Sequence, residues 1–114
     1  MAKKIAVFVG SLRRASFNRK TAEAVVALAP ESLAPDIVEI GGLALYNPDE
    51  DEGAPPPAWT EFRQRVKPFD GVLFVTPEYN RSVPAVLKNA LDVGSRPYGR
   101  SVWAGKPGAV ISVS

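Results

Sequence analysis

Short apolar runs alternate along this chain with segments whose apolar residues recur every three or four positions. Each run is bounded by turn-forming residues such as glycine, proline and aspartate. Runs of this kind are typical of strands that are buried on both faces of a parallel sheet. The sequence therefore predicts strands at residues 5–9, 36–40, 72–75 and 109–113.

The first two segments between these strands have the spacing of amphipathic helices. One helix is predicted over residues 18–29, with Asn18 as its N-cap and Phe17 packed against Ala22. Another is predicted over residues 58–67, where aromatic side chains recur at helical spacing. We expect these aromatic side chains to lie in the core, because helical spacing places them on one face.

Two further stretches complete the pattern between the strands. A third helix opens at Pro84, and its apolar residues should face inward while Lys88, Asn89 and Asp92 face solvent or another subunit. Residues 43–57 contain four consecutive acidic residues and three consecutive prolines. This composition predicts a surface loop whose acidic run is solvated.

The alternation of strands and helices predicts an α/β fold with right-handed crossovers and a parallel sheet. A dinucleotide-binding Rossmann domain has three glycines in the turn after its first strand, whereas this turn contains only Gly10. No Gly-Lys-Ser or Gly-Lys-Thr follows Gly10, so a P-loop is excluded as well. The departure from the Rossmann fingerprint leaves a flavodoxin-like, doubly wound sheet as the competing fold, and in that fold the strand order would be 2-1-3-4.

Composition and charge narrow the function. The 114 residues predict one domain, and 14 basic against 12 acidic residues give no general basic field for nucleic acid. Histidine and cysteine are absent, which excludes thiolate catalysis, histidine bases and the usual zinc sites. We therefore assign no catalytic side chain and no metal, and expect a bound cofactor to carry the chemistry. Without a long apolar run, we expect a cytoplasmic protein that binds no membrane.

The turn after the first predicted strand is rich in hydrogen-bond donors. Ser11, Arg13, Ser16 and Asn18 place two hydroxyls, a guanidinium and an amide just before the first helix, whose own N–H groups are unpaired. A terminal phosphate requires several donors at once, and charge-assisted hydrogen bonds to it are strong. The sequence therefore predicts a phosphate site at the carboxyl edge of the sheet.

Two motifs resemble those of the NADPH-dependent FMN reductase family, which includes flavodoxin-like chromate, quinone and azo-dye reductases. The first is the donor-rich turn just described, which is similar to the FMN phosphate loop of that family. The second runs from Pro77 through Ser82 and Pro84 into the third helix. In the family, this second loop lines the isoalloxazine ring. The resemblance assigns cofactor contacts to Ser11, Arg13, Ser16, Asn18, Pro77, Glu78, Tyr79, Asn80 and Ser82.

The resemblance implies an FMN-dependent oxidoreductase. Hydride would pass from NADPH or NADH to FMN and then to a quinone-like small-molecule acceptor, in an enzyme that we expect to be a homo-oligomer. Two alternatives remain open: a flavodoxin-like electron carrier that does not turn over a nicotinamide, and a noncatalytic fragment of such a reductase. Fast reduction of the bound flavin by NADPH separates the enzyme from the carrier.

The resemblance also implies that these 114 residues do not contain the whole family domain. The family has a fifth strand, two further helices and a glycine-rich loop after its fourth strand, whereas this sequence stops at Ser114. We therefore expect a truncated domain that lacks the fifth strand and the last helices. In such a domain, apolar residues of the third and fourth strands would be bare on the face that carries the first helix.

Overall fold

A computed structural model describes residues 2–10, 17–77, 85–96 and 99–112 of the chain. Four strands and four helices lie within these ranges. In chain order they are β1 (Lys3–Val9), α1 (Phe17–Leu28), β2 (Leu33–Ile37), α2 (Pro48–Glu52), α3 (Pro57–Val66), β3 (Gly71–Thr76), α4 (Ala85–Gly94) and β4 (Gly108–Ser112).

The four strands form one parallel sheet with the order β2-β1-β3-β4. The order 2-1-3-4 and the doubly wound α/β class predicted from the sequence are thus confirmed. Val9 of β1 lies beside Val75 of β3, so these two central strands end at the same level. Loops that follow them must therefore meet at one edge of the sheet, which is the edge where open α/β sheets bind ligands.

Strand β2 lies three residues earlier than predicted, at Leu33–Ile37 rather than 36–40. Val38 and Ile40 are buried and join the core, although they follow the strand. The apolar pattern at 36–40 therefore indicates which side chains are buried in the core, and not which residues pair with β1 as a strand. Pro35 lies inside β2, which is possible because β2 is an edge strand and needs no amide on its outer side.

The sheet has a hydrophobic core on each face. On one face α3 and α4 pack against an aromatic cluster centred on Phe8, whose ring lies 6.0 Å from Phe62, 5.5 Å from Phe74 and 5.4 Å from Trp103. The expectation that the aromatic residues of α3 belong to the core is confirmed, because Trp59 and Phe62 are buried. On the other face α1 covers Val7, Val9 and Val75.

Helix α1 begins at Phe17 rather than Asn18, so the prediction of Asn18 as N-cap is wrong. The predicted packing of Phe17 on Ala22 is also wrong, because Phe17 is 73% exposed while Ala22 is fully buried. The physical reason lies in Asn18, which is buried in the first turn of the helix. Its neighbour Phe17 is therefore directed outward.

The segment at 43–57 is not the solvated loop that its composition predicts. Residues 48–52 form the short helix α2, and Asn47 caps it by accepting a 2.9 Å hydrogen bond from the amide of Asp49. Within the acidic run, Asp51 has a side chain that is only 9% exposed and is paired with Arg63. One member of the run is therefore part of the structure rather than solvated.

The expected bare sheet face is covered in part. Val75 is fully buried and Leu73 is half-buried beneath the α1 side, whereas four of the five residues of β4 are exposed. Val110 of β4 is 65% exposed. It pairs with Phe74, which packs in the core under α3 and α4, so Val110 lies on that face of the sheet and not on the α1 face. Among the described residues, no helix is long and apolar enough to cross a membrane.

Candidate functional site

The carboxyl ends of β1 and β3 approach each other unusually closely. The amide of Gly10 donates a 2.9 Å hydrogen bond to the carbonyl of Val75, which extends the pairing of the strands by one residue. A Cβ atom on residue 10 would lie 2.3 Å from Oγ1 and 2.8 Å from Cβ of Thr76. Only glycine fits this position, so the sequence ends β1 with the one residue that permits this contact.

Asn18 lies in the first turn of α1 and is only 6% exposed. Its Oδ1 is buried and accepts no hydrogen bond from any residue within the described ranges. A buried polar atom without a partner is costly, and in native proteins it commonly marks a place for water or a ligand. Asn18 is one of the predicted phosphate contacts, but Oδ1 is an acceptor, so a phosphate oxygen would require the amide to be rotated so that Nδ2 faces it.

The two predicted loops lie largely outside the described residues. Ser11, Arg13 and Ser16 of the phosphate turn are not among them, and neither are Glu78, Tyr79, Asn80 and Ser82 of the second loop. The structure does place Asn18 at the start of α1 and Pro77 immediately after β3. Both therefore lie at the carboxyl edge of the sheet, next to the residues that the loops join.

A salt bridge lies beside Asn18. The guanidinium of Arg19 donates a 2.7 Å hydrogen bond to Oε1 of Glu39, which follows β2. This hydrogen bond raises the pKa of Arg19 above its ordinary value, against a smaller opposing effect of burial. The pair ties α1 to the end of β2, and the two side chains are 30% and 67% exposed.

Asn89 contradicts its prediction as an outward-facing residue of the third helix. It is 9% exposed, and its side chain forms hydrogen bonds to the backbone in both directions. The Oδ1 atom accepts from the amide of Tyr46 at 2.7 Å, and Nδ2 donates to the carbonyl of Ala44 at 2.9 Å. Helical spacing could not reveal this role, because the partners are 43 and 45 residues away in the sequence.

A second polar group connects the same region to α3. Arg63 donates to both carboxylate oxygens of Asp51, at 2.9 and 2.8 Å, and its Nε donates to the carbonyl of Val93 at 2.8 Å. The hydrogen bonds from Arg63 lower the pKa of Asp51, against the opposing effect of burial. The hydroxyl of Tyr46 donates to Asp51 at 3.1 Å, and burial together with this carboxylate raises the pKa of Tyr46.

No group of three or more aspartate, glutamate, histidine or cysteine side chains is arranged to hold a metal ion in the part of the chain that the structure describes. Of the ion pairs there, those of Arg19, Arg63 and Arg65 connect different parts of the fold, whereas Lys88 and Asp92 pair within α4. Among the described residues, the polar groups at the carboxyl edge include the backbone of Gly10, the hydroxyl of Thr76 and the amide of Asn18. Such groups bind and orient a cofactor but do not themselves transfer protons at neutral pH.

Known proteins resemble this chain over nearly its whole length. The sequence model described as NADPH-dependent FMN reductase matches residues 3–114. A quinone reductase from Pseudomonas putida is 64% identical over 110 residues, which make up 96% of this chain and 59% of that protein. A 2-hydroxy-1,4-benzoquinone reductase from Burkholderia sp is 59% identical over 114 residues, or 100% of this chain and 62% of that protein.

A solved structure shows the same fold. The flavoenzyme NAD(P)H:(acceptor) oxidoreductase FerB from Paracoccus denitrificans superposes with a TM-score of 0.91 at 44% identity, over 99% of this chain and 62% of that one. The chain therefore spans between 59% and 62% of the length of these relatives.

Proposed function

The chain belongs to the NADPH-dependent FMN reductase family, and we propose that it functions as an FMN-dependent oxidoreductase that takes hydride from NADPH or NADH. The final acceptor is a small quinone-like molecule. Support for the acceptor comes from relatives in Pseudomonas putida and Burkholderia sp that are named quinone and benzoquinone reductases. This chain covers 59% and 62% of the length of those two relatives, so we include the oxidoreductase activity itself in the proposal.

The single observation that carries the proposal is the buried Oδ1 of Asn18 near the carboxyl edge of β1 and β3, which has no hydrogen-bond partner among the described residues. This oxygen needs a hydrogen-bond donor. A ribityl hydroxyl supplies such a donor, and rotation of the amide would instead present its NH2 group to a phosphate oxygen. The residues that the structure describes therefore fit the phosphate and ribityl part of FMN.

The remaining cofactor contacts are proposed from the sequence. Ser11, Arg13 and Ser16 would surround the phosphate together with Asn18. The isoalloxazine ring would lie against the loop after β3, held by Pro77, Glu78, Tyr79, Asn80 and Ser82. Backbone N–H groups there would donate to the polar edge of the ring, and Pro77 stiffens the start of the loop because its φ is fixed.

When bound, the flavin supplies the hydride chemistry, which the side chains of this protein cannot supply. The protein binds the phosphate, orients the ring and leaves one face open to the reductant and the acceptor. No protein acid or base is needed for hydride transfer itself. A cofactor that carries the hydride chemistry is consistent with a sequence that contains neither histidine nor cysteine.

The proposal also covers the oligomeric state and the cellular location of the protein. We propose from the resemblance to the family that the protein acts as a homo-oligomer. A cytoplasmic location would give it access to NADPH. Analytical ultracentrifugation tests the oligomeric state, since a stable monomer at all concentrations would contradict the proposal of a homo-oligomer.

The first test of the proposed function is ligand binding. Fluorescence titration of the purified protein should give saturable FMN binding with one site per chain. Riboflavin, which lacks the phosphate, should bind more weakly, because it cannot use the donors of the phosphate site. Equal affinity for FMN and riboflavin would contradict the phosphate site, and no binding of either would contradict the proposed function.

A further inference from the structure

Helix α4 is held by a polar side chain that the proposed cofactor contacts do not include. The amide group of Asn89 bridges α4 and the segment that follows β2, accepting from Tyr46 at 2.7 Å and donating to Ala44 at 2.9 Å. Both partners are backbone groups, so the contact does not depend on the identity of a neighbouring side chain. Asn89 is 9% exposed, and water is therefore largely excluded from competing for these hydrogen bonds.

The same segment is also attached to α3. Nε1 of Trp59 donates to the carbonyl of Ala44 at 3.0 Å, so this carbonyl accepts from α3 and α4 at once. The rings of Tyr46 and Trp59 lie with their centres 5.2 Å apart. We call the residues Ala44, Tyr46, Trp59 and Asn89 the Asn89 junction. It connects three parts of the chain that are far apart in sequence.

The junction lies near the end of α4 that faces the carboxyl edge of the sheet. Asn89 comes four positions after Ala85, the first residue of α4, and therefore about one helical turn from its start. The other side-chain hydrogen bonds that the structure gives to the backbone of α4 lie nearer its opposite end, where the carbonyls of Leu91, Asp92 and Val93 accept from Trp103, Ser95 and Arg63. Asn89 is thus the polar contact closer to the start of the helix.

Directional hydrogen bonds and apolar packing constrain a helix differently. Leu87, Ala90 and Val93 bury α4 against the core, but apolar contact is non-directional and permits small rotations and shifts. An amide that both donates to and accepts from one backbone segment fixes the position of the helix along its axis as well as its rotation about that axis. The placement of the start of α4 relative to residues 44–46 therefore depends on Asn89.

We propose that Asn89 is a positioning residue for hydride transfer: it fixes the start of α4 against residues 44–46 and thereby fixes the flavin and the acceptor relative to the protein. This inference rests on the proposed function, because the proposed flavin site lies at the edge where α4 begins. Displacements of about 1 Å in such a site can change rates by about a hundredfold. A residue that touches neither flavin nor acceptor can therefore affect the reaction.

The test compares Asn89→Ala with Ser95→Ala, which removes the 2.8 Å side-chain hydrogen bond to the carbonyl of Asp92 at the far end of α4 and lies outside the Asn89 junction. Hydrogen exchange without FMN should show that Asn89→Ala speeds exchange about tenfold at the amides of residues 89 and 90, which report the first helical turn. With FMN bound, the same variant should shift the visible spectrum of the flavin and lower kcat about tenfold, with the acceptor KM changed less. Ser95→Ala should have none of these effects.

Each outcome decides the inference. If Asn89→Ala changes exchange only at the amide of Tyr46, or if Ser95→Ala gives the same spectral and kcat changes, then Asn89 has a general stabilising role and the inference is wrong. If the wild-type protein binds no FMN, the proposed function fails, while unchanged exchange at residues 89 and 90 still overturns the inference. Should Asn89→Ala not fold, Asn89→Asp, which keeps the acceptor for Tyr46, takes its place.

Discussion

Gly10 and Thr76 lie so close at the ends of β1 and β3 that a Cβ atom on residue 10 would be 2.3 Å from the Thr76 hydroxyl oxygen. Thr76 is 4% exposed, and its hydroxyl donates to the carbonyl of Pro77 at 2.9 Å, so it cannot simply move aside. The contact sets the spacing of the two strands from which both proposed FMN loops leave.

We therefore predict that Gly10→Ala destabilises the protein by about 1 to 3 kcal/mol, the usual cost of overpacking. FMN affinity should fall as well, because the two strand ends must separate. Urea unfolding and FMN titration measure the two effects. Gly42→Ala is the matched control, since nothing lies within 4 Å of a Cβ at that position and its stability should be unchanged or slightly higher. Equal stability of the two variants would contradict the account of the strand ends.

Asn18→Ala should separate stability from binding. The buried Oδ1 of Asn18 has no partner among the described residues, so its removal should cost the FMN-free protein little stability. FMN affinity should decrease about tenfold, or about 1.4 kcal/mol, which corresponds to one lost hydrogen bond to a neutral group such as a ribityl hydroxyl. Parallel unfolding and FMN titrations measure both quantities. A large loss of stability with unchanged affinity would show that Asn18 is a structural residue and not a cofactor contact.

Arg13→Ala tests the charge of the phosphate site. Loss of the proposed charge-assisted hydrogen bond should weaken FMN binding by about 1.5 to 3 kcal/mol. Riboflavin affinity should hardly change, because riboflavin has no phosphate. Isothermal titration with both ligands makes the comparison, and equal losses for the two would remove Arg13 from the phosphate site.

The pair of Asp51 and Arg63 predicts a pH-dependent contribution to stability. Hydrogen bonds from Arg63 hold the pKa of Asp51 below its ordinary value, so the folded protein takes up this proton at lower pH than the unfolded chain. The stabilisation is complete above the ordinary aspartate pKa of about 3.9 and is lost as the pH falls through the lower pKa of the folded state.

Asp51→Asn should accordingly lower the free energy of unfolding by about 2 kcal/mol at neutral pH, and the difference from wild type should shrink below about pH 4. Asp36→Asn is the control, because the side chains of Asp36 and Arg65 are 63% and 50% exposed and such pairs contribute little. Urea unfolding across this pH range measures both variants. A difference that persists unchanged at the acid end would mean that another property of Asp51 is responsible.

The sequence predicts the order of the elements and the sheet well because these depend on local periodicity. Strands β1, β3 and β4 and the helices α1, α3 and α4 lie within a few residues of their predicted positions. The displacement of β2 has a clear cause: Val38 and Ile40 are apolar because they reach the core beyond the strand, and periodicity does not distinguish that from strand pairing.

The polar contacts of the fold could not be predicted, because they join residues that are distant in the sequence. Asn89 is placed on the outer side of α4 by helical spacing, yet its partners belong to the segment after β2. Asp51 belongs to an acidic run that is typical of solvated loops, and only the position of Arg63 on α3 explains its burial. Of the predicted cofactor contacts, Asn18 and Pro77 are described by the structure.

The central claim is that this protein binds FMN and reduces it with a nicotinamide. Stopped-flow mixing of the FMN-loaded protein with NADPH, followed through the visible absorbance of the oxidised flavin, tests it most directly. We predict rapid bleaching that a quinone added afterwards reverses, with the rate saturating as NADPH is increased. A flavin that stays oxidised after mixing with NADPH, or with NADH in a parallel experiment, would contradict the account and favour a carrier that binds FMN without accepting hydride from a nicotinamide.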